Sequence, residues 1–108
     1  MSKARVMVVD DDRHAREALA LLLADEGYEV QAAADGAAAL AALPRFHPDV
    51  IITDMSMPRM DGPALAAALQ ALPGVTPRLI WMSARERPAA GAPFVQKPIA
   101  FDELLALI

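Results

Sequence analysis

Short apolar runs rich in β-branched residues recur along the chain at Val6 to Val9, Val50 to Thr53 and Leu79 to Met82. Each is bounded by charged or turn-forming residues, and none alternates apolar with polar positions. Strands covered on both faces read this way. Weaker strands are predicted at Glu29 to Ala33 and at Phe94 to Gln96. Helical stretches lie between them. Leu19, Leu22 and Leu23 make an apolar stripe on a helix from about His14 to Glu26, with Gly27 as its C-terminal stop. A second helix is predicted from Ala37 to Leu43, ending at Pro44, and a third starts with Pro63 in its first turn and reaches Leu72. The last runs from Phe101 to Ile108, with Asp102 and Glu103 in its favourable first turn. Strand and helix alternate throughout, which predicts a parallel sheet covered on both faces. Such sheets bind ligands outside the carboxyl ends of their strands. Asp10, Asp11, Asp54, Ser83 and Lys97 all fall at predicted strand ends.

Composition narrows the class. A chain of 108 residues is expected to form one domain, residues 1–108, with a modest core. The hydrophobic fraction of 56% overstates that core, because 24 of those residues are alanine. With no cysteine, neither a disulfide framework nor a thiolate metal site is possible. A net charge of -4 argues against direct nucleic-acid binding. No apolar run approaches membrane-spanning length and no signal-peptide core is present, so the expectation is a cytoplasmic domain with no membrane contact.

The strand-end residues fit one chemical task. Carboxylates gathered at strand ends can hold a hard divalent cation, and a nearby lysine can neutralise a phosphoryl oxygen. Asp11 is the candidate for direct Mg²⁺ ligation, with Asp10 acting through water. One of the three acids is expected to serve as a helix N-cap, and Asp12 before Arg13 would serve. Asp54 can act as a nucleophile that accepts a phosphoryl group as an acyl phosphate; taken by itself it reads more readily as a strand-end aspartate satisfying loop amides. Ser83 offers a hydroxyl to a phosphoryl oxygen, and Lys97 a point positive charge. Lys97 directly precedes Pro98, and either isomer of that bond is open. His14 and His47 lack a second histidine at ligand spacing and read as solvated. Met55, Met57 and Met60 read as gap-filling core residues.

These residues match a family. The chain resembles the receiver domain of two-component response regulators over essentially its whole length. The matching text is Val8-Val9-Asp10-Asp11-Asp12, Ile51-Ile52-Thr53-Asp54-Met55-Ser56-Met57-Pro58 with Met60-Asp61-Gly62, Met82-Ser83-Ala84, and Phe94-Val95-Gln96-Lys97-Pro98. The resemblance implies an α/β fold, a doubly wound five-stranded parallel sheet of flavodoxin-like (CheY-like) type. It implies Mg²⁺-dependent phosphorylation of Asp54 by the phosphohistidine of a sensor histidine kinase or histidine phosphotransfer protein, in a phosphorelay that ends on a downstream effector. Asp10 and Asp11 match the family's metal-binding acids, and the backbone carbonyl of Ser56 completes that site with Asp54. Lys97 matches the phosphate-binding lysine, Ser83 the conformational hydroxyl and Phe94 the switch aromatic. Ser56 and Arg85 match positions that tune phosphoryl lifetime.

One departure stands out. Only thirteen residues separate Ser83 from Lys97, fewer than the family usually has, and Pro88, Gly91 and Pro93 lie among them. Proline inside a helix costs about 3 kcal/mol, so the family's fourth helix, between the fourth and fifth strands, is expected to be shortened or absent. The alternative function is a pseudo-receiver, a protein-interaction module of the same fold not regulated by phosphorylation. An aspartyl-phosphate phosphatase is disfavoured, since the second acid such enzymes carry two residues after the nucleophile is here Ser56. A flavin-binding protein is disfavoured by the acidic run where a phosphate-cradling loop belongs. The expectation is therefore a switch that takes part in its own phosphorylation chemistry and is not a metabolic enzyme.

Overall fold

The structure is a computed structural model that describes residues 4–55, 57, 60–74, 76–84 and 92–108. In chain order the elements are β1 (Arg5–Val9), α1 (Arg13–Asp25), β2 (Glu29–Ala33), α2 (Gly36–Phe46), β3 (Val50–Asp54), α3 (Gly62–Ala71), β4 (Arg78–Ser83), β5 (Phe94–Gln96) and α4 (Phe101–Leu107). The five strands form one sheet in the order β2-β1-β3-β4-β5, and every pairing is parallel. The expected doubly wound, CheY-like sheet is what forms.

Alternate residues of the central strands feed two separate cores, which explains their unbroken apolar runs. Val6, Val8, Val50, Ile52, Ile80, Met82 and Val95 pack on one face with Leu19 and Leu23 of α1 and Leu104 of α4. Met7, Val9 and Ile51 pack on the other with Ala39, Ala42 and Phe46 of α2 and Leu65 and Leu69 of α3. Each large side chain buried in this way contributes about 1.5–3 kcal/mol. The order of strands reverses between β1 and β3, because the chain goes from β1 outward to β2 and returns past β1 to β3. Ligands bind at such a reversal, beyond the carboxyl ends of the two strands.

Helix ends follow local chemistry. Asp12 is the N-cap of α1, its carboxylate accepting from the amides of His14 and Ala15. Gly27, at φ 97°, ends the helix. The Gly27 amide donates to the Ala24 carbonyl and the Tyr28 amide to the Leu23 carbonyl, a Schellman arrangement that satisfies carbonyls left open by the last turn. Asp35 and Asp61 cap α2 and α3 in the same manner as Asp12.

The structure corrects two expectations. The second helix does not end at Pro44 but continues to Phe46. Burial of Phe46, with the Arg5 guanidinium 4.7 Å from its ring centre, holds the extra turn. His47 closes it in the left-handed conformation, donating its amide to the Leu43 carbonyl. Leu22 is not part of the buried stripe of α1: it stays 47% exposed and borders a cavity of about 280 Å³ lined also by Pro98, Ile99 and Phe101. The connection from β4 to β5 includes residues 85–91, outside the described residues. The expected shortening or loss of a helix there falls on those residues.

Candidate functional site

Asp10 follows β1 and Asp54 ends β3, and the register pairs Val9 with Thr53. The two acids therefore stand level, side by side, at the reversal point. Asp10 is only 2% exposed. Its Oδ1 accepts the Asp12 amide at 3.0 Å and its Oδ2 accepts from Lys97 Nζ at 2.9 Å. Its carbonyl accepts from Arg16 Nη1 at 2.9 Å, tying α1 to the strand end. The three consecutive acids thus divide their work: Asp12 caps a helix, Asp10 is buried and paired, and Asp11 is exposed.

Lys97 arrives from the far edge of the sheet. Its amide donates to the Ser83 carbonyl at 2.9 Å, which continues the β4–β5 ladder and fixes its backbone. The Lys97–Pro98 bond is cis. Nζ also donates to Asp54 Oδ2 at 3.2 Å, so one ammonium bridges two carboxylates. Oxygens of Asp10, Asp11 and Asp54 all lie within 4.8 Å of one another. Among the described residues, no other group of three His, Cys, Asp or Glu side chains converges in this way. Burial raises the Asp54 pKa above 3.8; Lys97 opposes the rise, and the Asp10 and Asp11 charges add to it. Burial acts to lower the Lys97 pKa, but the hydrogen bonds and charges of Asp10 and Asp54 outweigh it and raise the value above 10.5.

Three carboxylates therefore face one ammonium, leaving net negative charge in a partly desolvated cleft. That donor set suits a divalent, oxygen-seeking ion such as Mg²⁺, which is held by one or two carboxylates and several waters. The cluster could hold such an ion through Asp10, Asp11 and Asp54.

The loop leaving Asp54 is anchored by backbone bonds. The Met55 amide donates to the Met82 carbonyl at 3.0 Å, and the Gly62 amide to the Met55 carbonyl at 3.1 Å. Met57 and Met60 pack against the core shared by α2 and α3, as expected of gap-fillers. Gly62 lies where a Cβ would stand 2.5 Å from Trp81 Cζ3 and 2.6 Å from the Asp54 carbonyl oxygen. Ser83 ends β4, buried, one register step beyond the Asp54–Met82 pair. Phe94 begins β5 opposite Trp81, half-buried and away from the strand end that carries Lys97. Ser56 and Arg85 lie outside the described residues. His14 and His47 take no part in the acidic cluster. Sequence reasoning missed Arg16 and Gly36, and it quoted Gly62 only as matching text, without a role. The signal available for the glycines was the pair of Asp-Gly steps, Asp35-Gly36 and Asp61-Gly62, each heading a helix.

Comparison with known proteins agrees with this geometry. The profile of the response regulator receiver domain matches residues 6–108. Response regulator MprA of Mycobacterium leprae is 40% identical over 111 residues, covering 96% of this chain and 49% of the relative. The chain spans about half the length of the curated relatives it matches. Among solved structures, chemotaxis response regulator CheY4 of Vibrio cholerae superposes with a TM-score of 0.84 at 34% identity, covering 97% of this chain and 95% of that one. The receiver domain of Francisella response regulator 1452 does so with a TM-score of 0.82 at 28% identity, covering 96% and 92%. Sequence, fold and the acid–lysine cluster converge, and the chain belongs to the receiver-domain family of response regulators.

Proposed function

We propose that residues 1–108 form one receiver domain whose Asp54 accepts a phosphoryl group from a phosphohistidine. The donor would be a sensor histidine kinase or a histidine phosphotransfer protein, and the recipient of the signal a downstream effector protein or domain. The observation that carries this reading is the Lys97 ammonium bridging Asp10 and Asp54 within a triad of close carboxylates. An Asp54 carboxylate oxygen attacks phosphorus; the O–P bond forms as the P–N bond breaks. The bonding pair stays on nitrogen, and the donor leaves as neutral imidazole when its other nitrogen carries a proton. Lys97 then turns one hydrogen bond from Asp54 to a phosphoryl oxygen. Asp10, Asp11, Asp54 and the Ser56 carbonyl would hold Mg²⁺, which when bound supplies positive charge against the phosphoryl oxygens.

Ser83 and Phe94 are read as the switch pair. Ser83 ends the strand beside Asp54, and Phe94 is only half-buried on the edge strand, where a change of packing would reach a partner surface. Ser56 and Arg85 are read as lifetime-tuning positions. The phosphoryl group would shift an equilibrium between two surfaces by its different interactions with each. Such a domain works as a switch in the cytoplasm, alongside its donor, and is not a metabolic enzyme.

The test is intact mass after incubation with Mg²⁺ and a small phosphodonor. Wild type should gain about 80 Da, one phosphoryl group, and Asp54→Asn should gain nothing. A full gain in the Asp54→Asn variant would refute the assignment of Asp54.

A further inference from the structure

We propose that Arg16 is a positioning residue for the metal site, acting through the main chain of Asp10 on the direction of Asp11. The inference rests on the function proposed above and adds a residue to it. β1 ends at Val9, so Asp10 stands one residue past the strand. It is buried and held from four directions. Its amide donates to the Ala33 carbonyl at 3.2 Å. Its Oδ1 accepts the Asp12 amide, and its Oδ2 accepts from Lys97 Nζ. Its carbonyl accepts from Arg16 Nη1 at 2.9 Å. The first three bonds hold the amide and the carboxylate; the bond from Arg16 holds the carbonyl.

That carbonyl decides where Asp11 goes. The Asp10 carbonyl and the Asp11 Cα belong to one planar peptide unit, so a bond that fixes the direction of the oxygen also fixes the direction in which the chain leaves. Asp11 is exposed, yet its carboxylate lies within 4.8 Å of those of Asp10 and Asp54. An exposed aspartate beside two like charges is pushed toward solvent. What keeps it in the cluster is its backbone, and Arg16 holds that backbone. The bond also closes a small circuit. Asp12, next after Asp11, caps α1, and its carbonyl accepts the Arg16 amide at 2.9 Å. Main chain and side chain of Arg16 thus bind the helix cap and the strand end to one another, with Asp11 between them. Arg16 would reach neither metal nor phosphoryl group; it acts on the main chain alone.

Mg²⁺ affinity, measured by titration calorimetry on the unphosphorylated domain at a temperature where every variant is folded, tests this. The sign of the effect separates positioning from the alternatives. Were Arg16 to act only through its charge, removing a cation beside the acids would tighten Mg²⁺ binding. Were it to act only on stability, the folded protein would bind as before. Positioning predicts that Arg16→Met weakens Mg²⁺ binding about tenfold, the scale seen when a group that supports a ligand is disturbed. Arg13→Met removes the same charge from the first turn of α1, where Arg13 pairs with exposed Glu17 at 3.0 Å, and should bind as tightly as wild type or more so. Unchanged or tighter binding in folded Arg16→Met, or an equal loss in Arg13→Met, would overturn the proposal. Should Arg16→Met fail to fold, hydrogen exchange in wild type, followed by NMR, decides. If the Arg16 bond favours Mg²⁺, Mg²⁺ must favour the bond. The Arg16 guanidinium protons should then exchange severalfold more slowly when Mg²⁺ is added, and unchanged exchange would overturn the idea. Wild type that binds no Mg²⁺ at all would instead overturn the reading of the site, and this inference with it.

Discussion

Replacing Asp54 with asparagine should make the metal-free domain more stable. The carboxylate oxygens of Asp10 and Asp54 lie within 4.8 Å. At an effective dielectric of about 20, unit charges at that distance repel by about 3.5 kcal/mol. Asp11 is exposed, and solvent reduces its repulsion of Asp54 to about 1 kcal/mol. Lys97 attracts Asp54 across 3.2 Å, which at the same dielectric is worth about 5 kcal/mol. The pair interactions nearly cancel, so the cost of burying the charge decides the sign, in agreement with the raised Asp54 pKa. Asparagine sheds that cost and still offers Lys97 an acceptor oxygen. Asp54 is only partly buried, so the gain should be about 1–2 kcal/mol, or about 5–10 °C in Tm for a domain of this size. The assay is urea and thermal unfolding in chelator at pH 7. The advantage of the variant should shrink on acidification. A carboxylate with a raised pKa destabilises the fold fully above its folded pKa, and the penalty disappears as pH falls through that value toward 3.8. Mg²⁺ should reverse the ranking, since a ligand at a hundred times its Kd stabilises by about 2.7 kcal/mol, and the variant lacks a ligand oxygen charge. A variant less stable than wild type in chelator at pH 7 would refute the charge argument.

Lys97→Met should destabilise the domain by about 3 kcal/mol, because Asp10 is left buried without its ammonium. The gap should hold up to pH 10.5 and close as pH rises through the raised Lys97 pKa, which urea titrations across pH would show. Gly62→Ala should lower the Tm, since a Cβ 2.5 Å from Trp81 and 2.6 Å from the Asp54 carbonyl costs about 1–3 kcal/mol, more than the helix gains from alanine; an unchanged or higher Tm would contradict the packing described. Asp11→Ala should cost at least tenfold in Mg²⁺ affinity by calorimetry, yet change chelator-state stability by no more than about 0.5 kcal/mol, as befits an exposed side chain.

The parts of the fold legible from the chain are those governed by local pattern. β1, β3 and β4 announced themselves because alternate residues serve opposite cores, so their runs are apolar on both faces between polar ends. The Asp12 cap and the Gly27 stop followed from side chains and backbone acting within one turn. The helix end placed at Pro44 was wrong because the decisive group, Phe46, gains its stability from a core and from Arg5, far off in sequence. Leu22 was misassigned because periodicity cannot say how far a neighbouring element extends over a helix face. At the site, Asp10, Asp54 and Lys97 were legible as charges at strand ends. Arg16, Gly36 and Gly62 were not, because their importance is relational: each matters through one backbone carbonyl or side chain contributed by another element.

The order β2-β1-β3-β4-β5 distributes the cluster unevenly across the sheet. Asp10 and Asp54 grow from adjacent central strands, each flanked on both sides. The cation comes from β5, three residues long and bonded to β4 alone. A short edge strand opens locally at a lower free energy than the centre of its sheet. An opening of β5 would carry Lys97 away and leave the acids uncompensated. The charge balance of the centre is therefore tied to how firmly its last strand is held.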